Sequence, residues 1–131
     1  MANDYYFRYA DTFDRLQPLK IEMYEFYHEH ALDFLPFEVH QGFRLLDLGS
    51  GTGTFFNSVI GRYPNAECVA VEYSSEMLEF VKAKTHQSAD RVELHQRDLN
   101  EGLPAGIGAF DIVSSFSTVH HLTDQNKLSL L

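Results

Sequence analysis

The sequence predicts an α/β fold, a parallel sheet with helices on its faces, and three observations predict it. Short apolar runs bounded by glycine, proline or polar residues recur along the chain, segments of helical spacing separate them, and no repeat, low-complexity run or linker interrupts the alternation. With 131 residues the chain has the length of a single domain, residues 1–131. A content of 44% hydrophobic and 14% aromatic residues supplies a core and argues against disorder.

The elements follow in order. From Pro18 to about Leu35, apolar residues recur at Leu19, Met23, Phe26, Tyr27, Ala31, Phe34 and Leu35, the spacing of a helix that Pro36 ends. Phe43–Leu48 is a mostly apolar run stopped by Gly49, as in a buried strand. Phe55, Phe56, Val59, Ile60 and Tyr63 return to helical spacing until the Tyr63-Pro64-Asn65 break. Cys68–Glu72 is the second strand. Ser74 or Ser75 can cap a helix through Met77, Leu78, Phe80 and Val81, and Val92–Gln96 is a third strand. Phe110–Phe116 supplies a fourth, and Thr123 opens a further helix running to Leu131. Residues 1–40 thus form a helical cap or lid and residues 41–131 the sheet-containing core.

Charge and cysteine usage narrow the function classes. Ten Lys plus Arg against nineteen Asp plus Glu leave a net charge of −9, so no broad basic field is available for double-stranded nucleic acid. The single cysteine, Cys68, excludes an intramolecular disulfide and offers no zinc pair, which fits a reducing cytoplasm. No metal site is expected. No run approaches the roughly 18 apolar residues of a membrane span, and the start of the chain lacks the pattern of a secretory signal.

The chemistry-bearing stretch is Leu45-Leu46-Asp47-Leu48-Gly49-Ser50-Gly51-Thr52-Gly53, an apolar strand leading into three alternating glycines and then a helix. Such a loop lets a ligand reach bare backbone beside the positive end of a helix dipole. Glu72 stands at the end of the second strand, nineteen residues beyond Gly53. In a doubly wound sheet that position lies beside the loop, where a carboxylate can accept from a ribose. The dinucleotide fingerprint fails because Thr54 stands where its third glycine belongs, and no Gly-Lys-Ser/Thr follows for a triphosphate.

On these residues the sequence resembles the class I S-adenosylmethionine-dependent methyltransferases of the small-molecule type. Asp47–Gly53 is similar to the family's first motif, where Asp47, Gly49, Ser50, Gly51 and Gly53 would pack against the methionine part of the cofactor. Val69–Ser74 resembles the second, which implies Glu72 on both ribose hydroxyls and Tyr73 beside the adenine. Gln96-Arg97-Asp98-Leu99 resembles the third, which implies Asp98 accepting from the adenine amino group and Leu99 near the ring. Phe110–Leu122 resembles the fourth, with Phe116 and Ser117 beside the sulfonium.

Plainer roles compete with these. Glu72 can be a solvated strand-end acid and Asp98 an Asx-turn acid. Met77 shares a helical face with Phe80 and Val81 and reads as core, although it also stands as a cofactor contact. His120 and His121 are candidates for a general base or structural histidines, and Tyr5, Tyr6, Tyr9 and Phe13 either form a lid or pack on the sheet.

The resemblance implies a Rossmann-like sheet of order 3-2-1-4 that continues 5-7-6 in the family, whereas four strands are legible here. The chain therefore reads as the cofactor-binding part of such an enzyme, with the C-terminal strands missing. A fourth strand left at the sheet edge, carrying only Asp111 as a charge, predicts a homodimer through that edge or by exchange of the C-terminal segment. The leading expectation is a methyltransferase acting on a small molecule with S-adenosylmethionine, leaving S-adenosylhomocysteine. The alternatives are a non-catalytic module that binds either molecule and works with a partner, and a nucleotide-cofactor oxidoreductase.

Overall fold

The structure, a computed structural model, describes residues 30–116 and residue 125. Its elements are β1 (Phe43–Leu48), α1 (Thr54–Arg62), β2 (Ala66–Glu72), α2 (Ser75–Thr85), β3 (Val92–Gln96) and β4 (Ile112–Ser115). Two short 3-10 segments, His86–Arg91 and Leu99–Glu101, flank β3. The four strands are all parallel and lie in the order β3-β2-β1-β4, the α/β arrangement that the sequence predicts.

Strand alternation sorts the side chains onto two faces. Phe43, Leu45, Cys68 and Ala70 pack on one face with Phe55, Phe56, Val59 and Ile60 of α1 and Val81 of α2. Leu46, Leu48, Val69 and Val71 point the other way, where Leu99 and Ile107, with Leu103 and Phe110 beside them, cover the sheet. Thus α1 and α2 occupy one face, and the segment following β3 closes the other. Residues 30–33 are helical and the helix stops before Pro36, as expected. Beyond it, Phe37 stacks on Phe43 with ring centroids 3.9 Å apart.

Several boundaries differ from the sequence reading. β2 begins at Ala66 rather than Cys68, because Ala66 and Glu67 pair in register with Phe43 and Arg44. β4 is shorter than Phe110–Phe116 at both ends. Phe110 lies against the Arg44 guanidinium, 4.6 Å from its ring centroid, while that guanidinium donates to the carbonyls of Ile107 and Ala109. At the other end, Phe116 turns onto Phe55, with ring centroids 4.6 Å apart. Ser74 is the residue that caps α2, its hydroxyl accepting from the Met77 N–H at 3.2 Å. The last turn before β3 is a 3-10 segment that helical periodicity did not reveal. Of the cap residues 1–40, those before residue 30 lie outside the described residues, as does the helix expected from Thr123 apart from residue 125, which is helical.

Candidate functional site

The site lies at the carboxyl ends of β1 and β2. Beyond Leu48 the chain stays on the sheet for one more bond, from the Gly49 N–H to the Val71 carbonyl at 2.7 Å, and then turns, with the Gly53 N–H donating to the Ser50 carbonyl at 3.0 Å. Gly51 has φ 57°, and a side chain built on it would meet nothing within 4 Å, so the middle of the loop borders open space. Gly53 differs: at φ 84° it precedes α1, and its missing side chain makes room for Val81.

Glu72 is held by this loop. Its Oε1 accepts from the Gly51 N–H at 3.2 Å and its Oε2 from the Ser74 N–H at 3.3 Å. At 6% exposure it is not the solvated strand-end acid of the plainer reading. Burial raises its pKa, and the N–H groups of Ser74, Tyr73 and Gly51 oppose that rise by stabilising the carboxylate. Each oxygen keeps acceptor capacity for a further donor.

Asp47 is the second buried acid. It sits opposite Ser114 in the β1–β4 register, and the Ser114 hydroxyl donates to its Oδ1 at 2.9 Å. Burial pushes its pKa up to about 7, the Ser114 hydrogen bond works downward, and the nearby Glu72 charge works upward. In the same loop the Ser50 hydroxyl is buried without a hydrogen-bond partner. A buried hydroxyl left unsatisfied is costly, and an incoming polar ligand would relieve it.

The remaining candidates surround this centre. Tyr73 is exposed at the end of β2, its carbonyl accepting from Gln96 Nε2 at 3.4 Å. Asp98 opens the 3-10 turn Leu99–Glu101, and its Oδ1 accepts from the Asn100 N–H at 2.9 Å, so the Asx-turn role is met. Leu99 is buried against the second face of the sheet, and Met77 is buried at 2% exposure on α2. Phe116, 38% exposed, follows β4 and lies beside Phe55. Tyr5, Tyr6, Tyr9, Phe13, Ser117, His120 and His121 lie outside the described residues. Among the described residues no cluster of three His, Cys, Asp or Glu is placed to hold a metal ion.

A methyltransferase domain family matches residues 45–131, more than half of the chain. The chain belongs to this methyltransferase domain family. It is 28% identical over 119 residues to demethylmenaquinone methyltransferase of Chlamydia pneumoniae, a match that covers 90% of this chain and 49% of that protein. It is 36% identical over 72 residues to malonyl-[acyl-carrier protein] O-methyltransferase of Methylococcus capsulatus, covering 55% of this chain and 26% of that one. The methyltransferase domain thus spans at most about half the length of these curated relatives. Its fold is similar to that of a Methanococcus maripaludis protein assigned as an S-adenosyl-L-methionine-dependent methyltransferase, with TM-score 0.70, 18% identity, and coverage of 95% of this chain and 58% of that one. DesVI of Streptomyces venezuelae is similar too, with TM-score 0.66, 25% identity and coverage of 91% and 48%.

Three residues at these strand ends were not singled out by the sequence. Ser114 was visible only as a small polar residue within a strand, and its role depends on register with Asp47. The Ser74 N–H is backbone and has no sequence signal beyond the cap that Ser74 provides. Arg97 holds the turn that carries Asp98 and Leu99, donating to the Glu101 and Gly102 carbonyls at 2.7 Å each, while its own N–H donates to the Glu72 carbonyl at 3.0 Å. An arginine preceding an acid in a loop is the sequence signal for such a clamp.

Proposed function

We propose that the chain binds S-adenosylmethionine across the carboxyl ends of β1 and β2 and serves a methyltransferase whose acceptor is a small molecule. The observation that carries this reading is Glu72, a buried carboxylate held at the tip of β2 by the N–H groups of Gly51 and Ser74. The residues present fit the cofactor on two further counts, the open space over Gly51 and the unpartnered Ser50 hydroxyl. Two buried acids at the same strand ends also favour a cationic ligand.

In this reading Gly49, Ser50, Gly51 and Gly53 pack along the methionine part, with Asp47 at the base of the loop. Glu72 accepts from the ribose hydroxyls, Tyr73 stands beside the adenine, Asp98 accepts from its amino group through the acceptor capacity that Asn100 leaves, and Leu99 borders the ring. Met77, buried on α2, is a further candidate cofactor contact, and Phe116 and Ser117 are the candidates beside the sulfonium. When bound, the cofactor would supply a methyl group activated by a sulfonium sulfur, whose departure as a neutral thioether makes the methyl available to a nucleophile. Positioning and exclusion of water by the surrounding side chains carry most of the acceleration for a reactive nucleophile. His120 and His121 are the candidates for a base where the acceptor carries a proton to be removed, and Tyr5, Tyr6 and Tyr9 for a lid.

A small-molecule acceptor is supported by the relative named for demethylmenaquinone. The cytoplasm is the proposed setting, consistent with one buried cysteine and no described helix long and apolar enough to cross a membrane. A homodimer through the β4 edge or by C-terminal exchange is supported by β4 ending the described sheet with Val113 55% exposed. Light scattering at tens of micromolar checks it, and a clean monomer would end it.

Calorimetry with S-adenosylhomocysteine tests the binding reading. Glu72→Ala should lower affinity by about tenfold or more, as loss of a hydrogen bond to a charged group implies. Unchanged affinity would remove Glu72 from the site, while heat from NAD in its place would favour an oxidoreductase. Transfer of a radiolabelled methyl group to a panel of acceptors separates an enzyme from a binding module.

A further inference from the structure

We propose that Ser114 is a positioning residue of the cofactor site: by donating its hydroxyl to Asp47 across the β1–β4 register, it favours the charged form of that carboxylate and holds it in place at the base of the Gly49–Gly53 loop. The proposal rests on the cofactor reading above. Its geometry is fixed by the sheet. Asp47 and Ser114 are direct register partners on adjacent parallel strands, so their side chains leave the same face, and the hydroxyl reaches Oδ1 at 2.9 Å. Asp47 is 2% exposed, so this hydroxyl does work that water does for a surface acid.

Ser114 Oγ also lies 3.5 Å from the Leu46 carbonyl, which gives its proton a second acceptor. With Asp47 ionised, the proton points to the carboxylate at the shorter distance. With Asp47 protonated, the carboxyl can donate to Ser114 while the hydroxyl turns to Leu46. The ionised arrangement carries the stronger, charge-assisted bond, so removing the hydroxyl shifts the balance toward the neutral acid.

The titratable groups bearing on Asp47 among the described residues are both on β2. Glu72 opposes its ionisation, and Cys68 feels its charge in turn. Arg91 acts on Cys68 from the turn before β3. The buried positions of α1 and α2, which cover this face, carry no ionisable side chain, and neither does β4. Ser114 is thus the described neighbour that favours the charged form of Asp47 by a side-chain hydrogen bond, and a cationic ligand prefers that form.

The test compares the parent chain with Ser114→Ala and Ser114→Thr. Carboxyl-carbon NMR on the ligand-free proteins gives the Asp47 titration midpoint, and calorimetry with S-adenosylmethionine at pH 7 and pH 8.5 gives affinity. In Ser114→Ala the midpoint should rise by about one pH unit, with affinity falling about fivefold at pH 7 and staying within about twofold at pH 8.5. Ser114→Thr, which keeps the hydroxyl on a strand that suits a β-branched side chain, should restore both values. An unchanged midpoint, or an affinity loss equal at both pH values, overturns the proposal. Absence of binding by the parent chain at both pH values removes the cofactor reading and this proposal with it. The ligand-free midpoints tell that failure from the first.

Discussion

Gly53 and Val81 meet with no room for a side chain between them: a Cβ on Gly53 would stand 2.9 Å from Val81 Cγ2, inside ordinary contact distance. Gly53 also holds φ 84°, a left-handed conformation that costs an L-residue energy of its own. Val81 is fully buried in the cluster beneath α1 and has little freedom to yield. Gly53→Ala should therefore cost about 2–4 kcal/mol, strain and overpacking together, read from urea unfolding. A loss below about 0.5 kcal/mol would mean that α2 moves aside freely.

Gly51 provides the contrast. It shares the left-handed backbone, at φ 57°, but a side chain there meets no atom within 4 Å. Gly51→Val should keep a cooperative fold at a cost of about 1–3 kcal/mol from backbone strain alone. Its affinity for S-adenosylhomocysteine should fall beyond detection, because the side chain fills the space over the loop. If fold and binding decline together, the glycine serves only a tight turn.

Legibility in the sequence followed the range of the interactions. β1 and β3 begin and end where apolar runs and punctuation put them, since both are set by local pattern. β2 starts two residues earlier than its pattern suggested because Glu67 looks like loop until it pairs with Arg44 across the sheet. β4 is cut short by Arg44, 66 residues before Phe110, which draws Phe110 out of the strand. The site divides the same way. The glycines and Glu72 stood out by spacing, whereas Ser114, 67 residues from Asp47, became visible only through register.

Asp47 gives stability a pH dependence of defined sign. Its carboxyl moves from an ordinary 3.8 to about 7 in the folded chain, burial being the main cause. Between those values the native state keeps a proton that the unfolded chain has released, so this contribution is present in full below about pH 4 and is lost as pH rises through 7. At about 1.36 kcal/mol per pH unit the loss is on the order of 4 kcal/mol. Asp47→Asn cannot ionise, so its stability relative to the parent should climb steadily between pH 4.5 and 7.5. Urea unfolding at several pH values reads the difference, which includes the charge coupling of Asp47 to Glu72. Parallel curves would mean that Asp47 titrates as an ordinary carboxyl.

Arg91 joins three backbone segments through one side chain. Its guanidinium donates to the carbonyls of Ile60 at 2.7 Å and of Tyr63 and Ala66 at 3.1 Å each. Ile60 lies in the last turn of α1, where carbonyls have no helical partner, and Ala66 is the first residue of β2, so the arginine satisfies the turn that joins them. Hydrogen bonds to a charged group are worth about 1.5–3 kcal/mol, and those sharing one donor group do not add in full, so Arg91→Ala should cost about 3 kcal/mol. Arg91→Lys should recover only part, because an ammonium lacks the planar fork that reaches three acceptors. The Cys68 thiol supplies a local reporter: burial holds its pKa up at about 12, and the Arg91 charge opposes that rise. Without the charge the folded thiol should resist alkylation more, while hydrogen exchange at the end of α1 quickens. Slower thiol modification with faster exchange at α1 marks loss of a charged clamp. Faster modification of Cys68 in step with global unfolding would reduce Arg91 to ordinary packing.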